Sequence, residues 1–255
     1  MEEKVRKSYP SDLTDEQWDE IALLYTGMRN CTWSKRELTD AVLYLVDSGC
    51  KWRQLPHDFP PYSTVHSFYR RARIRGLWDK ILEHLVKKTR TKAGRKESPS
   101  YAIIDSQSVK TVAASEERGI DGGKTKGRKR HIVVDVLGCL LSVVVHAANI
   151  HDTKGGISTA KQAYERYPSI QKFCADAGYR GTFVSDAKEQ LGLDVDISEK
   201  IKPHQWEKLP WRWVVERTLS WLNHSRRLSK DYEISVSSAE AIVKISHLNT
   251  LLKRL

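Results

Sequence analysis

The chain has 255 residues, with 43 Lys and Arg against 32 Asp and Glu, a formal net charge of +11 and a pI of about 9.4. Its 40% hydrophobic content excludes a disordered protein, and no apolar run approaches the ~20 residues that a membrane span requires. Four scattered cysteines and a first segment without an apolar core argue against a disulfide framework, a zinc ribbon and a signal peptide. We therefore expect a reduced, cytoplasmic protein with a polyanionic partner.

The positive charge is concentrated in two segments. Residues 51–96 carry thirteen basic and three acidic residues, and residues 110–131 carry seven and three. Residues 1–50, in contrast, carry six basic and ten acidic residues. A polyanion such as DNA is therefore expected to contact only part of the surface.

The first ninety or so residues predict four helices. Capping boxes, in which Thr or Ser is followed three residues later by Gln or Glu, begin at Thr14 and Ser34. Ser63 is expected to cap the third helix, and the fourth follows Gly76. Apolar residues recur at helical spacing after each of these positions, which indicates a small helical bundle.

The basic outer face of the third helix indicates a contact with nucleic acid. With the helix after Ser34, the third helix forms a pair similar to a helix-turn-helix, and the alternative is a solvated basic face. Residues 87–96 are interpreted as a basic tether, so the chain divides into a helical DNA-binding domain, 1–96, and a second domain, 97–255. The basic side chains on the outer face of the third helix are Arg70, Arg71, Arg73 and Arg75.

From residue 101 the apolar pattern changes and predicts a mixed α/β domain with the order βββαβαβα. Residues 115–130 are polar and rich in Gly and Lys, which indicates a loop. Such a domain has a mixed sheet flanked by helices. The strands are expected at 101–104, 131–136, 140–147, 173–175 and 193–197, and the helices at about 152–166, 181–191, 211–228 and 238–252.

Three carboxylates are candidates for a metal site. Asp105 and Asp176 each follow a short apolar run, so each is expected at the end of a buried strand. Glu216 lies on a polar, basic stripe of the helix after residue 211, one turn beyond Arg212. Hard divalent cations prefer such oxygen ligands, and a pair of ions can stabilise an in-line phosphoryl displacement. The alternatives are a cap or turn for each Asp and a surface ion pair for Glu216.

Five segments of the chain, taken in order, resemble the DDE transposases of bacterial insertion sequences, and most closely the fifth insertion-sequence family. Residues 9–85 also resemble the amino-terminal helical domain of that family, so the likeness covers nearly the whole chain. The five segments are AIIDSQSVK at 102–110, GRKRH at 127–131, ANIHDT at 148–153, ADAGYRG at 175–181 and WVVERT at 213–218.

The resemblance implies an RNase H-like catalytic fold in which Asp105, Asp176 and Glu216 bind Mg²⁺ or Mn²⁺, as two ions. It also implies cleavage by water at the element's terminal inverted repeats, followed by attack of the freed 3′-OH on target DNA. The active species is expected to be a homodimer or larger oligomer on double-stranded DNA. A non-catalytic DNA-binding regulator and a nuclease of the same fold are the alternatives.

Further DNA contacts are expected from residues beside the three acids and from residues 124–130, interpreted as a loop that becomes ordered on DNA. Related groups carry a Tyr-x2-Arg-x3-Glu-x6-Lys signature, of which Leu209 and Asn223 replace the Tyr and the Lys. The expected contacts, besides those of the third helix, are Lys124, Lys126, Arg128, Lys129, Arg130, Tyr179, Arg180, Arg212, Arg217, Arg226 and Arg227.

Two other features of the catalytic segment have competing interpretations. Asp152 is expected to cap the helix that follows it, rather than to face metal or DNA. Trp206, Trp211 and Trp213 are interpreted as core or interface residues, and the alternative is stacking on an unpaired base.

Overall fold

A computed structural model describes residues 6–29, 31–198 and 211–255. We number its helices α1–α8 and its strands β1–β6 in chain order. The helices are α1 Asp15–Ala22, α2 Lys35–Ser48, α3 Tyr62–Ile74, α4 Leu77–Lys92, α5 Asp152–Arg166, α6 Thr182–Leu191, α7 Arg212–Leu222 and α8 Val236–Leu252. The strands are β1 Tyr101–Lys110, β2 Gly119–Ile120, β3 Lys126–Asp135, β4 Leu140–Ala147, β5 Lys172–Asp176 and β6 Asp194–Ser198.

Local sequence signals define the helix starts in the first part of the chain, with one exception. Both predicted capping boxes are confirmed, since Thr14 and Ser34 each accept a hydrogen bond from the backbone amide three residues later. The expected cap at Ser63 is wrong, because α3 begins earlier and Pro61 is its N-cap residue. The fixed φ of proline lets it precede a helix without losing an intrahelical hydrogen bond.

The predicted basic tether is helical over its first part. α4 extends to Lys92 because Leu85, Val86 and Arg90 lie on its buried face and hold the helix against the rest of the molecule. Only residues beyond this helix, up to about residue 100, form a connection without regular structure before β1.

The six strands form one mixed sheet. β1 is central, antiparallel to β3 on one side and parallel to β5 on the other, and β6 continues the sheet in parallel beyond β5. β4 and the short β2 both pair antiparallel with the outer edge of β3. The predicted hairpin between β3 and β4 is confirmed, with a turn at Gly138.

Helices cover both faces of this sheet. α5 lies on β3 and β4 with α6 beside it, and α7 lies on β1, β3 and β5. The side chain of Ser106 contacts Asp152 of α5, whereas the preceding Asp105 faces the charges of α7. Because consecutive side chains of a strand point to opposite faces, α5 and α7 lie on opposite sides of β1.

The helical region and the sheet share one hydrophobic core. α8, whose apolar residues are buried as predicted, packs against α2, α4 and β4 and so joins the two regions. The boundary between residues 96 and 97 stays a prediction. Within the described ranges, none of the helices is long and apolar enough to cross a membrane.

A buried ion pair also links α4 to the sheet. Asp135 at the end of β3 is fully buried and forms a short contact with the guanidinium of Arg90. It also accepts hydrogen bonds from the amides of Leu137 and Cys139, at 2.9 and 2.8 Å. The carboxylate therefore organises the β3–β4 turn and holds the end of α4 at once.

We expect Asp135→Ala to lower the free energy of unfolding by about 3–5 kcal/mol, because Arg90 would keep an uncompensated buried charge. Urea unfolding followed by circular dichroism measures this change. Asp194→Ala is the matched control, since Asp194 pairs with Lys188 on the exposed surface and should change the unfolding midpoint little. Equal destabilisation by the two substitutions would contradict the role of the buried pair.

Candidate active site

Asp105 and Asp176 lie at equivalent positions on neighbouring parallel strands. β1 and β5 are paired up to Ile103 and Cys174, and each aspartate stands two residues further along its own strand. The period of two along a strand places both side chains on the same face of the sheet, where β1 and β5 begin to separate. Asp105 is inside β1 rather than at its end, because residues 106–110 continue to pair with β3.

Backbone amides orient both carboxylates. The amide of Ser106 donates to Oδ1 of Asp105 at 2.7 Å, and the amide of Gly178 donates to Oδ1 of Asp176 at 2.9 Å. The second bond belongs to a short 3₁₀ turn that directly follows β5, with Asp176 as its N-cap residue. Each carboxylate thus keeps its Oδ2 free of these backbone bonds.

Glu216 reaches this face of the sheet from α7. Arg212, one turn earlier on the same helix, forms an ion pair with Glu216, with its Nε 3.1 Å from Oε1 of Glu216. Its Nη2 also lies 3.9 Å from Oδ2 of Asp176. The guanidinium therefore stands between two of the three acids. The ion pair considered as an alternative for Glu216 is present, but the same guanidinium also lies near Asp176.

The electrostatics of Asp105 reflect this crowding. Burial raises the pKa of Asp105 to about 6, and the hydrogen bond from the Ser106 amide opposes that rise. The negative charges of Asp176 and Glu216 raise the pKa further, while Arg212 lowers it. Three carboxylates on one face thus repel one another, and a cation among them would relieve that repulsion.

The donor set suits a hard divalent cation, because the three side chains present only carboxylate oxygens. Among the residues that the structure describes, no three His, Cys, Asp or Glu side chains stand close enough together to hold an ion in this conformation. Arg212 supplies the local positive charge here through its contacts with Asp176 and Glu216.

A second polar layer lies on the other side of β1, against α5. Oδ1 of Asp152 accepts hydrogen bonds from Nζ of Lys129 at 2.8 Å and from Oγ of Ser106 at 2.9 Å. Nε2 of the buried His131 lies 3.4 Å from the same oxygen. The layer thus links β1 and β3 to the start of α5, directly behind Asp105.

The expected cap at Asp152 is wrong, because His151 is the N-cap residue of α5 and its ring accepts from the Thr153 amide. Asp152 is instead the first residue of the helix and turns towards the sheet. The sequence offered one signal for its role, since Asp152 falls inside one of the five segments that resemble the transposase family. Its partners Lys129 and Ser106 are distant in the sequence, so spacing alone could not reveal them.

Two glycines let α5 approach this layer closely. A Cβ on Gly155 would lie 2.2 Å from Nε2 of His146, and one on Gly156 would lie 2.6 Å from Cε1 of Tyr179. Tyr179 is buried between His131 and Phe183 and follows Asp176 by three residues. Packing of α5 therefore supports the turn that presents Asp176.

Several residues predicted to contact DNA are buried, which corrects their assignment. Arg128 is fully buried and bonds Asp231 and the carbonyls of residues 116, 233 and 234. Arg130 donates to the carbonyls of residues 228 and 230, and Arg227 pairs with Glu233. The guanidinium groups of Arg128 and Arg130 hold the segment between α7 and α8 against β3, and that of Arg227 joins the segment to the carbonyl of Cys50. Lys129 and Tyr179 are likewise buried, in the layer beneath the acids.

The prediction of one loop over residues 115–130 was also wrong. β3 begins at Lys126, and β2 pairs with its first residues. The remaining predicted DNA contacts stay predictions. Those with exposed side chains are Arg70, Arg71, Arg75, Lys124, Lys126, Arg180 and Arg226, and those with half-buried side chains are Arg73, Arg212 and Arg217.

Two tryptophans beside Glu216 are on the surface. Trp211 and Trp213 expose 43% and 47% of their area, so they are not core residues of this chain. The guanidinium of Arg217 lies 4.7 Å from the ring of Trp213 and 4.5 Å from that of Trp221. Trp206 and Leu209 fall outside the described residues.

Comparison with known proteins agrees with this geometry. Residues 96–248 match the family model described as "Transposase DDE domain", and residues 13–82 match the one described as "Putative transposase of IS4/5 family". The sheet with helices on both faces is accordingly the RNase H-like fold of DDE transposase domains. The chain belongs to the DDE transposases, which confirms the resemblance and the predicted fold class, and its helical region is similar to that of the IS4/5 family.

Two relatives come from Burkholderia cepacia. The "Putative transposase for insertion sequence element IS402" is 28% identical over 130 residues, which cover 47% of this chain and 60% of the relative. The "Insertion element IS402 uncharacterized 16.2 kDa protein" is 33% identical over 89 residues, which cover 34% of this chain and 58% of the relative. The matches thus span about three fifths of each relative's length.

Proposed function

We propose that this chain binds the terminal inverted repeats of its own insertion sequence and catalyses metal-dependent cleavage and strand transfer there. One observation carries the proposal: Asp105 and Asp176 occupy equivalent positions on the same face of parallel strands, and Arg212 joins Glu216 to them. Membership of the DDE transposase family supports the same reading.

In this proposal Asp105, Asp176 and Glu216 hold Mg²⁺ or Mn²⁺, as two ions. A bound ion of this kind makes water more nucleophilic and neutralises charge on the phosphodiester. Asp105 and Asp176 are positioned for that task by the amides of Ser106 and Gly178. Bound cations would compensate the acids in place of Arg212, and its planar guanidinium would then be available to a DNA phosphate.

The reaction has two phosphoryl-transfer steps on double-stranded DNA. Water first attacks the phosphodiester at the element's end and leaves a free 3′-OH. That hydroxyl then attacks a phosphodiester of target DNA, so that one P–O bond forms as another breaks. Joining both ends to one target requires two active sites close together, which favours a homodimer or larger oligomer on the DNA.

The test is a cleavage and strand-transfer assay with the full chain and labelled duplexes that carry the element's own ends. We expect nicks at the ends in Mg²⁺ or Mn²⁺, none in EDTA, and joined products when a target plasmid is added. Binding of the ends without cleavage in either ion would overturn the catalytic proposal in favour of the non-catalytic regulator. Equal cleavage of unrelated duplexes would indicate a nuclease instead.

A further inference from the structure

A small cavity in the helical region gathers four cationic side chains. It has a volume of about 230 Å³ and lies between the segment around Met28, the start of α2 and the outer face of α3. Its lining includes no acidic side chain, and the buried side chains of Leu38 and Phe68 form part of its wall. The four cationic residues are Arg29, Lys35, Arg71 and Arg75.

Backbone contacts hold two of these cations in place. Nζ of Lys35 donates to the carbonyl of Arg29 at 2.6 Å, and Nη1 of Arg75 donates to the carbonyl of Gly27 at 3.3 Å. In the described part of the chain, none of the four forms an ion pair with a carboxylate. Among the residues that the structure describes, no carboxylate therefore compensates the positive charge of the cavity.

Such an arrangement is costly without an anion. Arg71 and Arg75 are four residues apart at the end of α3, and like charges at this spacing destabilise a helix. The buried side chains of Leu38 and Phe68 form the floor of the cavity, while the side chains of Arg29, Arg71 and Arg75 are exposed and accessible to an anion. A phosphate group in the cavity would reverse the sign of these interactions and accept charge-assisted hydrogen bonds from the guanidinium groups.

We propose that this cavity binds one phosphodiester of the DNA backbone and fixes the position of the helical region on the duplex. The proposal rests on the DNA-binding function proposed above and adds Arg29 and Lys35, which the sequence did not single out. The proposal also separates Arg71 from its neighbour Arg70, which is exposed too but lies outside the cavity lining. Successive helix positions differ by about 100° in direction, so the two side chains face different surroundings.

The experiment measures equilibrium binding by fluorescence anisotropy, with the full chain and a duplex bearing the element's end. EDTA prevents cleavage, and the NaCl concentration is varied from 50 to 200 mM. We expect Arg71→Ala and Arg29→Ala each to weaken binding about tenfold or more. Each should also reduce the slope of log affinity against log salt by about one, the signature of a lost phosphate contact.

Arg70→Ala is the matched control and should change both quantities by much less, while Arg71→Lys should restore most of the slope. Equal effects of Arg70→Ala and Arg71→Ala would overturn the cavity in favour of a diffuse basic face. Binding of inorganic phosphate to the chain, abolished by Arg71→Ala, that leaves the affinity for the duplex unchanged at constant ionic strength would assign the cavity to free phosphate and overturn the DNA contact. Failure of the unaltered chain to bind any duplex would instead count against the proposed function.

Discussion

Asp105→Asn, Asp176→Asn and Glu216→Gln should each reduce cleavage of the element's ends by at least about 10³-fold. Each substitution keeps the shape of the side chain and removes the negative charge that a divalent cation requires. Loss of a bound cation removes several kcal/mol of transition-state stabilisation, and each 1.36 kcal/mol corresponds to a factor of ten in rate. Single-turnover cleavage of a labelled end duplex in Mg²⁺ measures the loss.

Binding and stability separate this effect from a folding defect. The three variants should bind the end duplex in EDTA as tightly as the unaltered chain, since removing an acid beside a polyanion does not weaken attraction. The Asp105→Asn variant should also unfold at a urea concentration no lower than the unaltered chain. The raised pKa of Asp105 indicates that folding disfavours the charged carboxylate, so removing the charge should not destabilise the fold. Full cleavage by any one of the three would remove that residue from the site.

Local sequence patterns predicted the elements that depend on residues close in the sequence, or on burial against any apolar neighbour. The capping boxes at Thr14 and Ser34, the β3–β4 hairpin and the buried run before Asp105 each depend on a few adjacent residues and on burial. The two aspartates were predicted together because each follows a short apolar run and ligands gather at strand ends in such sheets, although Asp105 proves to lie inside β1.

The failures involve contacts between residues far apart in the chain. Arg128 and Arg130 stand in a polar stretch that is typical of a loop, yet both are buried: Asp231 pairs with Arg128, and carbonyls of residues 228–234 accept hydrogen bonds from both guanidinium groups. Likewise, α4 extends through a basic segment because Arg90 forms a buried ion pair with Asp135, forty-five residues further along the chain. Because burying an unpaired charge is costly, a charged residue is predicted to be exposed unless its partner is known. A single sequence does not identify a partner that is distant in the chain.

The partners of Asp152 were also too distant in the sequence to be predicted. Its position implies that substituting it would lower activity more than loss of a helix cap would. It lies behind Asp105, bonded to the neighbouring Ser106, and its Oδ2 approaches the turn at Gly178 that orients Asp176. One carboxylate thus bonds the residue next to Asp105 and lies near the turn that orients Asp176. Partners that orient metal ligands in this way typically contribute 10–100-fold to activity or metal affinity.

We therefore expect Asp152→Ala to lower the cleavage rate about 10–100-fold and to raise the Mn²⁺ concentration that gives half-maximal cleavage. Asp152→Asn keeps an acceptor for Ser106 but loses the charge that pairs with Lys129, so its effect should be intermediate. Rates measured across a Mn²⁺ titration distinguish positioning from general destabilisation, which would lower the active fraction without moving the half-maximal concentration. An unchanged Mn²⁺ dependence together with unchanged end binding would show that Asp152 only anchors α5 to the sheet.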